Sequence, residues 1–194
     1  MEHTEKRTDR RVVKTKKAIR NAFAKLLSEK ELDKITMKDI AEEANINRKT
    51  LYNYYGGIYQ LVDEIGDEVI SAFDEAMRDV DFRRAMSEPS TFFRRLTEIL
   101  LRDMEFYGHL LSMSGNVSLA NKIADTVKLK ARQAVMNQLN ADERVVDVAV
   151  DYSVTGMMTV YKSWFNSGRK MSIEELSEIV RQICIYGVSS VLGD

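Results

Sequence analysis

Apolar residues recur every three to four positions through most of the chain, and these stripes predict a succession of helices. Ile19, Ala22, Phe23, Leu26 and Leu27 share one side of a helix read over Arg7 to Lys30, and Lys14, Lys16, Lys17, Arg20 and Lys25 populate its remaining surface. Met37, Ile40, Ala41 and Ala44 give a second, shorter helix one apolar face. Thr36 is its N-cap, and Asp39 three residues on is the partner in a short capping box. Asn45-Ile46-Asn47 reads as a tight turn, because Asn tolerates the left-handed backbone such a turn needs and Asn47 caps the next helix. That third, short helix is expected from Arg48 to Tyr54. Gly56-Gly57 stops it, and a fourth runs from Ile58 to Asp79.

The pattern continues with a polar break at Met86–Ser90, which holds the only proline. Ser90 caps a single helix from Thr91 to Tyr107, and Gly108 followed by Ser112–Asn116 breaks the chain again. Helices are then expected over Val117–Asn140 and Asp142–Asn166, with Gly168 ending the latter. Ser172 caps the last helix, which carries Glu174 and Glu175 in its first turn and runs to Leu192. The penultimate helix is apolar nearly all round, from Val145 through Tyr152 and Met157 to Phe165. A helix apolar on every side is buried on every side, and a domain this small rarely surrounds one, so part of it is expected to meet a second copy. The last helix adds Ile173, Leu176, Val180, Ile183, Gly187 and Val191, with small Ser189 and Ser190 near its end. Two helices per subunit in a four-helix seam is the favoured reading, against an internal core pair.

Composition narrows the class. The chain has 194 residues, one Pro and 9 Gly, too little turn punctuation for an all-β protein, so the fold class is all-α. No stretch approaches the roughly 18 to 20 uncharged apolar residues of a membrane span, and the first residues hold no apolar signal region. Cys184 is the only cysteine, which removes disulfide frameworks and Cys-based zinc sites; a cytoplasmic protein is expected. Two His, one Cys, no phosphate-cradling glycine loop and no metal spacing give no basis for an enzyme, a metal or a cofactor.

Charge adds a direction. Residues 1–55 carry 14 Lys/Arg against 9 Asp/Glu, a net +5, whereas residues 56–194 carry 15 against 21, a net −6. A basic head on an acidic remainder suits a polyanion, nucleic acid above all. Two short helices joined by a three-residue turn are the helix-turn-helix pattern. Ile40, Ala44, Ile46 and Leu51 are the inward anchors, which leaves Arg48, Lys49, Thr50, Tyr52, Asn53 and Tyr54 outward or partly outward. From Ile46 to Val62 there is no Asp or Glu. Such a surface suits phosphate oxygens and base edges.

The run from Ile35 to Tyr55, ITMKDIAEEANINRKTLYNYY, resembles the DNA-binding head of the tetracycline-repressor (TetR/AcrR) family, which typically reads T-x-x-D-I-A-x-x-A-G-V-S-x-x-T-[FL]-Y-x-[HY]-F. The resemblance covers about residues 8–62. It implies an all-helical, dimeric transcriptional regulator with a three-helix head over 8–62 and a ligand-sensing, dimerising body over 63–194. Carried over by position, Thr36 caps the second helix and touches phosphate; Arg48, Lys49 and Thr50 begin the recognition helix; Tyr52 and Tyr54 are its aromatic contacts. Asn47 and Asn53 complete the candidate DNA-binding set. Arg48 is the candidate for base readout, and Arg10, Arg11 and Lys14 are either further phosphate or minor-groove contacts or a solvated face. Three positions depart from the family: Asn45 replaces the usual turn Gly, Gly57 the usual small polar cap, and Ile58 the usual Lys. The stretch Tyr161–Gly168 resembles the family's W-x-x-x-G helix ending.

The partners expected are double-stranded DNA, a second copy of the chain and a small-molecule effector, with no membrane. The candidates for the effector site are Phe93, Met104, Phe106, Tyr107, His109, Met136, Met157, Tyr161 and Trp164, residues that equally suit a packed core. A repressor released from a palindromic operator by its ligand is the expected function. A co-regulator that docks a partner protein and binds DNA weakly alone, as Ile58 suggests, is the alternative.

Overall fold

In a computed structural model the chain is described over residues 2–82, 91–113 and 117–192, with side chains over 10–82, 91–113 and 119–187. Among these residues there are nine α-helices and no strand: α1 (Glu2–Glu29), α2 (Met37–Glu43), α3 (Arg48–Tyr52), α4 (Ile58–Met77), α5 (Thr91–Arg102), α6 (Met104–Leu111), α7 (Val117–Met136), α8 (Glu143–Asn166) and α9 (Ile173–Leu192). A 3-10 turn over Leu32–Lys34 follows α1. The Pro-containing break with its Ser90 cap, residues 114–116, and the side chains of His3, Ser189, Ser190 and Val191 lie outside the described residues.

The helix expected as one piece from Thr91 to Tyr107 is two, parted at Asp103. The break carries no Gly or Pro, and Gly108, expected to end a helix, sits inside α6. The reason is tertiary. The chain forms two compact units, Met1–Asp67 with Glu105–Val117, and Glu68–Met104 with Ser118–Asp194, so α5 and nearly all of α6 are packed into different units.

The first unit is built on side chains less than 2% exposed: Ile19, Phe23 and Leu27 of α1, Ile40 of α2, Leu51 of α3, Leu61 and Ile65 of α4, and Phe106 of α6. Each such burial stabilises by about 1.5–3 kcal/mol relative to exposure. The Arg20 guanidinium stacks on the Phe106 ring at 4.0 Å, and Ser28 Oγ lies 3.4 Å from His109 Nδ1, which fastens α6 along α1.

In the second unit α5 packs on α9 and α9 on α8. Val146, Val150 and Val154 of α8 cluster with Val135 of α7, and Phe82, Val127 and Met158 close over them. A buried hydroxyl chain crosses α5, α8 and α9. Thr97 Oγ1 donates to the Phe93 carbonyl at 2.9 Å, so its 2.5 Å partner Ser177 donates to it, and Tyr161, at 2.7 Å, donates to Ser177. Burial pushes the Tyr161 phenol upward. α7 ends at Met136 rather than Asn140. Just beyond it the Gln138 amide pairs with Val80 O and Phe82 N, both at 2.9 Å, an anchor to the chain after α4. Gly168, at φ 78°, ends α8. Ser172 Oγ accepts from Glu175 N at 3.1 Å at the start of α9.

α8 is not buried all round within the chain. Val146, Ala149, Val150, Val154, Tyr161 and Trp164 face inward, whereas Val148 is 71% and Tyr152 66% exposed. On α9, Ile179, Ile183 and Tyr186 are exposed as well.

Candidate nucleic-acid interface

The second helix is defined by its ends. Asp39 N donates to Thr36 Oγ1 at 3.2 Å and Thr36 N donates to Asp39 Oδ2 at 2.9 Å, which completes the capping box. These bonds from Thr36 hold the Asp39 carboxyl below its ordinary value. At the other end Asn45 adopts φ 51°, and two bonds close the helix: Asn45 N to Glu42 O at 3.1 Å and Ile46 N to Ala41 O at 2.9 Å. This is a Schellman closure with Asn where Gly is commonest. Lys25 pairs with Glu43 at 2.8 Å, fixing α2 against α1 and raising the Lys25 ammonium through that bond.

The turn delivers Asn47, whose Oδ1 accepts from Lys49 N at 2.8 Å and starts α3. α3 ends at Tyr52 rather than Tyr54, with Asn53 and Tyr54 in the closing turn. Leu51 is its one buried residue. Arg48, Lys49, Asn53 and Tyr52 are exposed, Thr50 and Tyr54 half-buried, and Thr36 and Asn47 exposed at the two caps. Seven of the eight candidates thus lie between Asn47 and Tyr54, around a helix with one buried side chain, and Thr36 stands apart at the start of α2.

The corner after α3 is pinned by residues to which the sequence pattern assigns no role. Tyr55 is 3% exposed, and its hydroxyl donates to Glu64 Oε1 at 2.8 Å, while Lys16 Nζ meets Glu64 Oε2 at 3.1 Å. One carboxylate of α4 therefore ties α1 to the chain just after α3. Gly56 N donates to Gln60 Oε1 at 2.7 Å, so a side chain within α4 satisfies the backbone just before it, where Gly57 has none to offer. Ile58 is half-buried, and Tyr59 beside it is 78% exposed, an aromatic ring on the surface at the end of the acid-free stretch. The signal for Tyr59 was its place two residues after Gly57, in the first turn of a helix.

The effector candidates are divided. Phe106, Tyr107 and His109 belong to the first unit, and Phe93, Met104, Met136, Met157, Tyr161 and Trp164 to the second. Phe93, Phe106, Tyr161 and Trp164 are buried, Met136 is exposed, and the other four are half-buried. The Tyr161 hydroxyl is held by Ser177, and Trp164 Nε1 donates to Met171 O at 2.9 Å. A surface groove of about 360 Å³ is flanked instead by Asp125, Lys128, Leu129, Arg132, Asp147, Val150 and Asp151. Its cations are paired, Lys128 with Asp151 and Arg132 with Asp147, each at 3.0 Å.

A capped two-helix motif with a donor-rich, acid-free outer side, carried on an all-helical chain, defines a helix-turn-helix transcriptional regulator. Residues 19–65 match the profile described as bacterial regulatory proteins, tetR family, and residues 87–186 match that of a transcriptional regulator C-terminal region. The chain belongs to the TetR family of transcriptional regulators. It is 42% identical over 59 residues to the HTH-type transcriptional regulator YxbF of Bacillus subtilis (strain 168), a match spanning 30% of this chain and 16% of that protein's length. Among solved structures it is similar to a TetR transcriptional regulator from Rhodococcus sp. RHA1 (TM-score 0.53, 21% identity, 90% of this chain and 95% of that one). It is also similar to the fatty acid degradation regulator FadR from Bacillus halodurans (TM-score 0.61, 15% identity, 89% and 95%). At these identities the likeness to the solved structures is one of fold. Among the described residues no helix is long and apolar enough to cross a membrane.

Proposed function

We propose that the chain is a dimeric repressor that binds a two-fold-symmetric DNA operator through α2–α3 and leaves it when a small molecule occupies the body. Residues 8–62 are the DNA-binding part and 63–194 the sensing and dimerising part. The observation that carries the reading is α3 itself: Leu51 is buried and Arg48, Lys49, Tyr52 and Asn53 stand outward on a stretch without one carboxylate. Arg48 reads guanine O6 and N7 with its two-pronged guanidinium. Lys49, Thr50, the Tyr52 and Tyr54 hydroxyls and the Thr36 and Asn47 caps set register on phosphates, and Asn53 offers an amide to a base edge or phosphate.

Dimerisation is supported by the exposed apolar side of α8 and α9, where Val148, Tyr152, Ile179, Ile183 and Tyr186 would otherwise stand in water. A two-fold pairing there suits two recognition helices placed one helical turn of DNA apart, about 34–36 Å. An effector that binds a splayed dimer better than the DNA-bound one empties the operator by its differential affinity. The nine aromatic, Met and His candidates remain the proposed source of that site, divided as they are between the units.

The test is fluorescence anisotropy with a duplex selected from a random-sequence pool and an unrelated duplex of equal length. The intact protein is expected to prefer the selected duplex by at least about a thousandfold. Arg48→Ala is expected to lose about 1–3 kcal/mol of that preference. Equal binding of both duplexes by the intact protein would overturn the reading and move attention to a protein partner.

A further inference from the structure

Two consecutive residues just after α3 are held by two side chains one turn apart on α4. Tyr55 OH donates to Glu64 Oε1 at 2.8 Å, and Gly56 N donates to Gln60 Oε1 at 2.7 Å. The other oxygen of Glu64 takes Lys16 Nζ of α1 at 3.1 Å, and the same ammonium lies 5.4 Å from the Tyr55 ring. Gly56 and Gln60 are exposed, so water competes for their bond, whereas Tyr55 is buried and Glu64 and Lys16 are half-buried. Glu64 is therefore the stronger of the two holds, since both its bonds are charge-assisted and one comes from a residue inside the core.

Tyr55 is a continuation of the α3 turn. Tyr54 N and Tyr55 N each donate to Leu51 O at 3.0 Å, so Tyr55 stands one turn after Leu51. α3 itself is five residues long and buries only Leu51. One apolar contact fixes where so short a helix sits but leaves its angle free to rock. Tyr55 supplies the second fixed point. The family's typical motif ends in Phe at this position, so a buried ring there needs no hydroxyl. In this chain the hydroxyl reaches a carboxylate of α4 that is already paired with α1.

The angle of α3 bears on only part of the proposed DNA contact. A two-pronged bond from Arg48 to a base edge needs distance and direction at two donors at once. Attraction to phosphates is longer in range and survives a small rotation of the helix. A rocking α3 loses base readout first.

We propose that Glu64 is a positioning residue for DNA recognition: it holds Tyr55 to α1 and α4 and so sets the angle at which α3 presents Arg48. The consequence for sequence preference rests on the reading of α3 as the DNA-reading helix; the hold itself does not.

The test uses three full-length variants. Tyr55→Phe removes the hydroxyl and keeps both ring and charge. Glu64→Ala removes the acceptor. Glu64→Gln has the same charge as Glu64→Ala and keeps an oxygen for Tyr55. In the DNA-free protein, hydrogen exchange at the amides of Leu51, Tyr54 and Tyr55 is expected to quicken about fivefold in Tyr55→Phe and Glu64→Ala, while Ala44 and Ile46 at the end of α2 keep their rates. In anisotropy with the selected and unrelated duplexes, Tyr55→Phe is expected to lose about fivefold of the preference, with affinity for the unrelated duplex and its salt slope within about twofold of the intact protein. Glu64→Gln is expected to regain most of the preference that Glu64→Ala loses. Unchanged exchange in Tyr55→Phe would overturn the hold. An equal fall in affinity for both duplexes would overturn the positioning role and show a general loosening, and so would quickened exchange with the preference intact. Quickened exchange in a protein that prefers no sequence even when intact would support the hold and overturn the α3 reading, so the two failures are distinguishable.

Discussion

On α3 the residues facing water are Arg48, Lys49, Tyr52 and Asn53; on α8 and α9 they include Val148, Tyr152, Ile179, Ile183 and Tyr186. The first set is cationic and hydrogen-bonding, the second apolar. The two units also hold their elements differently. The helix-turn-helix is set by bonds between residues two to five apart: the Thr36–Asp39 box, the Asn45 closure and the Asn47 cap. The second unit is set by contacts across long sequence distances, such as Thr97 with Ser177 and Gln138 with Val80. A surface that meets a polyanion needs rigid, locally encoded presentation of donors. A surface that meets another protein needs area, which helices several turns long supply.

The largest expected effect strikes the apolar side. Tyr152→Glu with Ile183→Glu puts carboxylates into the proposed two-fold seam, each appearing twice by symmetry. The monomer–dimer equilibrium is expected to weaken by at least about a thousandfold, roughly 4 kcal/mol, as read by analytical ultracentrifugation, with helix content unchanged because both positions are exposed in the single chain. Unchanged association would end the contrast between the two surfaces.

Next comes the single anchor of α3. Leu51→Ala removes its one buried side chain and is expected to cost about 2–5 kcal/mol in chemical denaturation. DNA affinity should fall with it, while the exposed Arg48→Ala loses preference for the selected duplex without loss of stability. Equal stability losses in the two variants would contradict the placement of these side chains. In the second unit, Ser177→Ala interrupts the hydroxyl chain and strands the buried Tyr161 OH, while Thr97 Oγ1 keeps its bond to the Phe93 carbonyl. A cost of about 1–3 kcal/mol is expected, with no change in salt-dependent DNA binding.

The smallest effect concerns the cap of α2. Thr36→Ala is expected to destabilise by about 1 kcal/mol. The Asp39 carboxyl is depressed in the folded chain, so the contribution of the box is complete above the unfolded value of about 3.9 and is lost as pH falls through the lower folded value. The stability difference between intact protein and variant, tracked from neutral pH down through that window, should therefore narrow with acid. A pH-independent difference would show that Thr36 acts without the carboxylate.

Legibility in the sequence divides along the same line. The all-helical class, the box, the left-handed Asn45, the Asn47 cap, the Gly168 ending and the Ser172 cap were all readable, because each depends on a residue type within a few positions of its effect. The break at Asp103 was not, since Arg102-Asp103-Met104 carries neither Gly nor Pro and a lone Asp is common within helical stretches, while the division of the chain into two units at this point joins residues far apart in sequence. The end of α7 ahead of the Gln138 anchor was equally hidden, as its partners Val80 and Phe82 lie far away in sequence. The outward set on α3 was legible from period and charge. The Tyr55–Glu64–Lys16 tie that holds its far end was not, because it joins three separate segments of the chain. The exposed apolar side of α8 was half legible: its hydrophobicity was plain, and which residues the chain itself covers was not.

Hydroxyl-radical footprinting on the selected duplex tests the central claim most directly, since it reads the donor surface and the apolar surface together. The account predicts two protected half-sites related by two-fold symmetry, their centres about 34–36 Å or a multiple of that apart, and loss of the paired pattern in the Tyr152→Glu, Ile183→Glu protein. A single protected segment, or a symmetric pair that survives those substitutions, would contradict it.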